Sequence, residues 1–177
     1  MRRGTRPGQL EELPGFEISI KIMRIGSGYD VHRLVDGRRL VLCGAEIPCE
    51  VGLLGHSDAD VAVHAAIDAV LGALALGDIG KLFPDSDPRY KDADSMELLR
   101  VVIGKMSECG YALGNLDVTI IAERPKLSPY IAQMRENLAG AFGCDVGKIS
   151  VKATTEEGLG LAGKGIGANA VVLLEEK

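Results

Sequence analysis

The sequence contains no tryptophan, and aromatic residues fill only 4% of its 177 positions. Nucleic-acid surfaces combine a basic field with stacking aromatics. With a formal net charge of −5 this chain offers neither. No nucleic acid is expected as a partner, and any phosphate ligand has to be held by local devices. Cysteine is scarce as well: Cys43, Cys49, Cys109 and Cys144, none in a C-x-x-C pair. That excludes a disulfide framework and a Cys-rich zinc site, and makes a reducing cytoplasm the expected compartment. No apolar run approaches the roughly 18 residues of a membrane span, so no membrane partner is expected. The N-terminal residues lack the hydrophobic core of a secretion signal. Glu11, Glu12 and Glu17 argue against a transit peptide.

What is present is the composition of one ordinary globular domain, 46% hydrophobic and 25% charged. Residues 1–22 are polar with two prolines and read as an extension. Residues 23–177 read as the domain. Residues 24–34 suit a strand, and Asp36-Gly37 signals a hairpin into "RRLVLCGAEIP". Residues 58–75 suit a buried helix capped by Ser57, with Asp60, His64 and Asp68 forming a polar stripe at i, i+4 spacing. A polar loop rich in Asp, Gly and Pro follows, of the kind that often carries function. Asp94 and Glu97 cap a helix that stops at Gly110. Residues 115–122 alternate as a strand, and Ser128-Pro129 open a helix with Ile131, Met134 and Leu138 on its apolar face. "KISVKAT" and "GIGANAVVLLE" complete the strands. An antiparallel opening followed by alternating helices and strands predicts an α/β (α+β type) domain, a mixed β-sheet with helices packed on one face.

The chemistry concentrates in few places. In "GSGYDVHRL" a strand places Gly26, Gly28, Asp30 and His32 on one face, small residues that keep it open, then an acid and an imidazole. All three histidines, His32, His56 and His64, lie within 33 positions of one another. If the strand face meets the helix stripe, Asp30, His32 and His64 make a three-ligand set for zinc with one position open, and Asp60 or Asp68 would orient the His64 ring. "GLGLAGKG" mimics a dinucleotide or phosphate-binding loop, but a strand follows where both motifs need a helix, so it reads as a glycine-rich turn. Just before it, "KATTEEGLG" offers Thr154 and Thr155 hydroxyls suited to phosphate, and Glu157 suited to a hard cation such as Mg²⁺.

Four stretches, "GSGYDVH", "GLLGHSDADVAVHAAIDAVLGALALGDIGKLFPDSDP", "DVTIIAERPKLSPYIAQM" and "VKATTEEGLG", together resemble the 2-C-methyl-D-erythritol 2,4-cyclodiphosphate synthases of the non-mevalonate isoprenoid pathway, in order and spacing from residue 23 to about 175. The resemblance implies a homotrimer with active sites between adjacent subunits. It also implies a metal-dependent ring closure of 4-diphosphocytidyl-2-C-methyl-D-erythritol 2-phosphate with release of CMP. It assigns Asp30, His32 and His64 to Zn²⁺ or another divalent metal, and Glu157 to the Mg²⁺ or Mn²⁺ bridging the diphosphate. His56 and Ser57 match a loop over the methylerythritol part, and Asp78, Gly80 and Asp85 match its surroundings. Ala122, Lys126 and Leu127 match the cytidine and phosphate pocket. Ala153, Thr154 and Thr155 match the phosphate-binding strand end, and Lys164 a further substrate contact. Thr155, His56 and Lys126 are assigned to catalysis; Asp30 and His32 also border the substrate. The family commonly has Phe, Arg and Glu where Leu161, Lys164 and Ile166 stand, so ligand binding on the threefold axis is the property these departures affect. Two other readings share the residues: a metal-dependent phosphohydrolase, and a non-catalytic metabolite-binding trimer.

Overall fold

The computed structural model describes residues 22–177. The extension expected over residues 1–22 lies, apart from Ile22, outside them. A five-stranded mixed sheet runs in the order β4-β1-β7-β5-β6. Its strands are β1 (Met23–Asp36), β4 (Val51–Leu53), β5 (Tyr111–Ile121), β6 (Ile149–Thr154) and β7 (Gly165–Glu176). β5 and β6 are parallel; β7 runs antiparallel to both β5 and β1. A small two-stranded sheet joins β2 (Leu40–Leu42) to β3 (Ala45–Ile47). Helices α1 (Val61–Ala73), α3 (Ser95–Glu108) and α4 (Ile131–Phe142) cover one face of the large sheet, with the one-turn helix α2 (Ile79–Leu82) at its edge. The expected architecture is the one observed.

Helix α1 is the centre of the core. All of its residues are buried except Asp68 and Gly72, which is why its sequence is apolar on nearly every side. It lies on β1 at the two glycines. A Cβ on Gly26 would sit 2.0 Å from the Ala69 carbonyl oxygen, and one on Gly28 2.1 Å from that of Ala65. The glycines thus serve close helix packing and do not hold a face open; the absence of a side chain lets two backbones touch. Among the described residues nothing covers the opposite face of the sheet, where Ile25, Tyr29 and Val31 are exposed.

Other boundaries differ for local reasons. Asp36-Gly37 does not close a hairpin, because the end of β1 pairs with β4 and β2 pairs with β3. The hairpin turns instead at Cys43-Gly44, both at positive φ (49° and 68°), as a tight primed turn requires. Asp60 holds that turn: its carboxylate accepts the Cys43 and Gly44 N–H groups at 2.9 and 2.7 Å. The same carboxylate accepts Val63 N–H at 3.1 Å, so Asp60, not Ser57, caps α1. Burial pushes Asp60 up to about 6 against these three donors. Asp94 caps α3, while Glu97 pairs with Arg100 instead of capping. β5 begins four residues before the expected start, because a register shift beside Gly114 interrupts its alternation. "GLGLAGKG" ends directly in β7, without a helix.

Gly28→Ala drives a methyl group into the α1 backbone, and should lower stability by about 3 kcal/mol in urea titrations with an unchanged m-value.

Candidate functional site

The close approach of α1 to β1 brings three side chains to one point. Asp30 Oδ2 lies 2.9 Å from His64 Nδ1 and 3.0 Å from His32 Nε2, and the two ring nitrogens are 3.2 Å apart. Asp30 and His32 come from the helix-facing side of β1, and His64 from the first turn of α1. The Leu54 carbonyl oxygen sits 2.6 Å from His32 Nδ1. A carbonyl only accepts, so it fixes the ring proton on Nδ1 and leaves the Nε2 lone pair facing the cluster. Two imidazole nitrogens and a carboxylate oxygen at these mutual distances fit the donor set of a three-ligand zinc site. Among the described residues no lysine or arginine pairs with the Asp30 carboxylate.

The electrostatics agree with a cation site. Burial opposes ionisation of Asp30, but the facing His32 and His64 imidazoles outweigh it and hold the carboxyl well below the usual range. Burial opposes protonation of His32, but the Asp30 carboxylate overrides it and raises the imidazole above its ordinary value. A proton and a metal therefore compete for the same lone pairs.

The cluster opens into a cavity of about 230 Å³. His56, Ser57, Gly80 and Asp85 line it, as do Phe83 and Tyr90, whose rings meet edge to face. Arg38 donates to the Gly55 and Ser57 carbonyls at 3.2 and 2.7 Å and so holds the loop that carries His56. Asp78 does not line the cavity; it caps α2 by accepting Lys81 N–H at 2.8 Å. Neither residue expected to orient His64 does so. Asp60 is committed to the β2–β3 turn, and Asp68 accepts Ile79 N–H at 2.7 Å. The His64 Nε2 partners are the Ser95 and Ser57 hydroxyls, at 2.9 and 3.1 Å. Ser95 and Arg38 escaped sequence reasoning because each is a common residue whose partner is distant along the chain.

The remaining candidates cluster at the same end of the sheet, across β7. His32 pairs with Ile166, Gly167 with Ile121, and Ile121 with Thr154. β6 is three strand spacings from β1, about 14 Å. Ala153, Thr154, Thr155, Lys126 and Lys164 are exposed there, with Ala122 and Leu127 buried beneath. Thr155 Oγ1 donates to Glu157, which sits at φ 54°. Glu123 braces the turn by accepting Glu156 N–H at 2.9 Å. One chain thus carries a metal cluster and a separate polar strand end. Among the described residues no helix is long and apolar enough to cross a membrane.

The sequence pattern of the YgbB family matches residues 23–175. The 2-C-methyl-D-erythritol 2,4-cyclodiphosphate synthase of Trichlorobacter lovleyi is 65% identical over 154 residues, spanning 86% of this chain and 98% of that protein. Among solved structures, the bifunctional IspDF from Campylobacter jejuni superposes with a TM-score of 0.86 at 41% identity, covering 89% of this chain and 43% of that one. The CDP-bound form of a 2C-methyl-D-erythritol-2,4-cyclodiphosphate synthase gives 0.80 at 42% identity, covering 85% of this chain and 99% of the other.

His64→Ala should remove stoichiometric zinc binding, read by elemental analysis, with the circular dichroism spectrum retained. Zinc affinity should fall as pH drops through a midpoint above 6.5, because His32 protonates on the nitrogen that faces the cluster. Asp30 stays ionised through that window. The metal-free protein shows the opposite sign. The stability it draws from the raised His32 is full below 6.5 and is lost as pH rises through the folded value.

Proposed function

Because the chain belongs to the YgbB family, we propose that it converts 4-diphosphocytidyl-2-C-methyl-D-erythritol 2-phosphate to 2-C-methyl-D-erythritol 2,4-cyclodiphosphate and CMP. An oxygen of the 2-phosphate attacks the β-phosphorus, and the bond from that phosphorus to the bridging oxygen breaks, so the α-phosphate departs in CMP. The observation that carries this reading is the Asp30–His32–His64 cluster opening into a cavity, in a chain 65% identical to a synthase of that name.

The nucleophile is tethered to its target, so holding the substrate in a folded conformation supplies much of the rate. The harder task is to gather anionic groups in a chain of net charge −5. Lys126 and Lys164 are exposed cations at the strand end, and offset charge on the phosphates. Thr154 and Thr155 hydroxyls donate to phosphate oxygens. Ala122, Leu127 and Ala153 form the floor for cytidine. His56, Ser57, Gly80 and Asp85 line the cavity and receive the methylerythritol part, while Asp78 acts through α2, which it caps beside Gly80. Asp30, His32 and His64 would hold Zn²⁺, and Glu157 Mg²⁺ or Mn²⁺; bound cations supply Lewis-acid polarisation and charge neutralisation.

The two clusters lie about 14 Å apart across the sheet. The active form is then a homotrimer in which the metal cluster of one subunit meets a strand end of the next. The uncovered sheet face supports this, since its Ile25, Tyr29 and Val31 are exposed at 72%, 55% and 42%. Residues 23–177 form the synthase domain, with residues 1–22 as an extension outside it, and its setting is the cytoplasm.

Phosphorus NMR of the protein with the substrate and Mg²⁺ should show CMP and a cyclic diphosphate, with both lost on adding a zinc chelator. CMP with an acyclic product would establish a hydrolase instead, and bound but unchanged substrate a binding protein. Light scattering should give three times the chain mass, and Tyr29→Glu should lower it.

A further inference from the structure

The two ring nitrogens of His64 have opposed neighbours. Nδ1 faces Asp30 Oδ2 at 2.9 Å, and Nε2 faces Ser95 Oγ at 2.9 Å and Ser57 Oγ at 3.1 Å. A neutral imidazole carries one proton. A carboxylate is the stronger acceptor. From the β1 side alone the proton would settle on Nδ1, donate to Asp30, and block the lone pair that a metal needs.

The other side of the ring is arranged against that outcome. Ser95 is fully buried at the start of α3. Its hydroxyl donates to Asp58 Oδ1, and its backbone N–H donates to Asp58 Oδ2 at 3.1 Å. With its one proton committed to a carboxylate, Ser95 Oγ presents only lone pairs to Nε2. A hydrogen bond there requires the imidazole to donate. Ser57 Oγ accepts Ala59 N–H at 3.1 Å and remains free to serve as either donor or acceptor toward Nε2. Asp58 is itself held, its N–H donating to the Ala93 carbonyl at 3.0 Å and its Oδ1 accepting Asp60 N–H at 3.2 Å.

We infer that Asp58 and Ser95 are positioning residues that set the tautomer of His64: they keep its proton on Nε2, so that Nδ1 turns a lone pair toward Asp30 Oδ2 and His32 Nε2. Neither residue touches the cluster of donor atoms. They act from the loop before α1 and from the first turn of α3, so the start of a second helix is coupled to the site. The inference deepens the metal-site reading and rests on it.

Nitrogen-15 NMR of the metal-free protein at about pH 8.5, well above the ordinary histidine range, reads the tautomer directly. The wild-type His64 should carry its proton on Nε2. Ser95→Ala removes the enforced acceptor, and should move the proton to Nδ1 and weaken zinc binding about 10–100-fold in competition titrations. Asp58→Asn should do the same by another route, because its amide can donate to Ser95 Oγ and turn the hydroxyl proton toward Nε2. A wild-type Nδ1 proton overturns the inference, even if neither variant folds. So do folded variants that keep the Nε2 proton and wild-type zinc affinity. A wild-type chain that binds neither zinc nor cobalt, yet holds the Nε2 proton, removes the metal reading and leaves the tautomer assignment standing.

Discussion

The contact between the glycines of β1 and the backbone of α1 is the constraint on which the rest of the site depends. An ordinary helix on a sheet stands off by the thickness of two layers of side chains. Here Gly26 and Gly28 offer none, and Ala65, Ala69 and Ala73 offer little. The helix settles against the strand backbone, and His64, one position before Ala65, is carried to within 2.9 Å of Asp30. Any side chain at the glycines would lift the helix and pull the donors apart. The packing of the core and the geometry of the metal cluster are therefore one arrangement.

That closeness has an electrostatic cost, which the surroundings offset. Three donor atoms near 3 Å from one another, one of them anionic, repel one another until a proton or a cation lies between them. Among the described residues neither a lysine nor an arginine pairs with Asp30. The fold supplies partners behind each ring instead, the Leu54 carbonyl behind His32 and two hydroxyls behind His64. Asp58, Asp60 and Asp68 sit close by, yet each is held by backbone N–H groups and stays out of the cluster. The acidic residues of this region thus divide into one member of the candidate metal cluster and several structural anchors.

The uncovered face of the sheet and the separation of the two clusters point the same way. The helices use one side of the sheet fully and leave apolar residues on the other. The polar end of β6 with Thr154 and Thr155 lies beyond β7 and β5 from the Asp30–His32–His64 cluster. In the proposed trimer, neighbouring copies packed on that face would bring the two together around one substrate.

Much of this was legible in the linear chain. Alternation in residues 24–34 placed Asp30 and His32 on one face, and i, i+4 spacing placed His64 on a helix, because both depend only on local backbone geometry. Long motifs in fixed order carried the family. Which aspartate does what was not legible. Asp58, Asp60 and Asp68 look alike in sequence, and their roles are set by backbone donors and a serine that arrive from distant positions, such as Ser95, 31 residues beyond His64. The meaning of Gly26 and Gly28 was misjudged for the same reason, since an absent side chain reveals nothing of what fills the space. Sequence by itself determined the main helices and strands and the donor types of the candidate cluster, which follow from local periodicity and residue identity. Tertiary structure alone decided the close helix-to-strand contact, the partner of each ring nitrogen and the division of the site into two clusters, because those are distances between residues far apart in the chain.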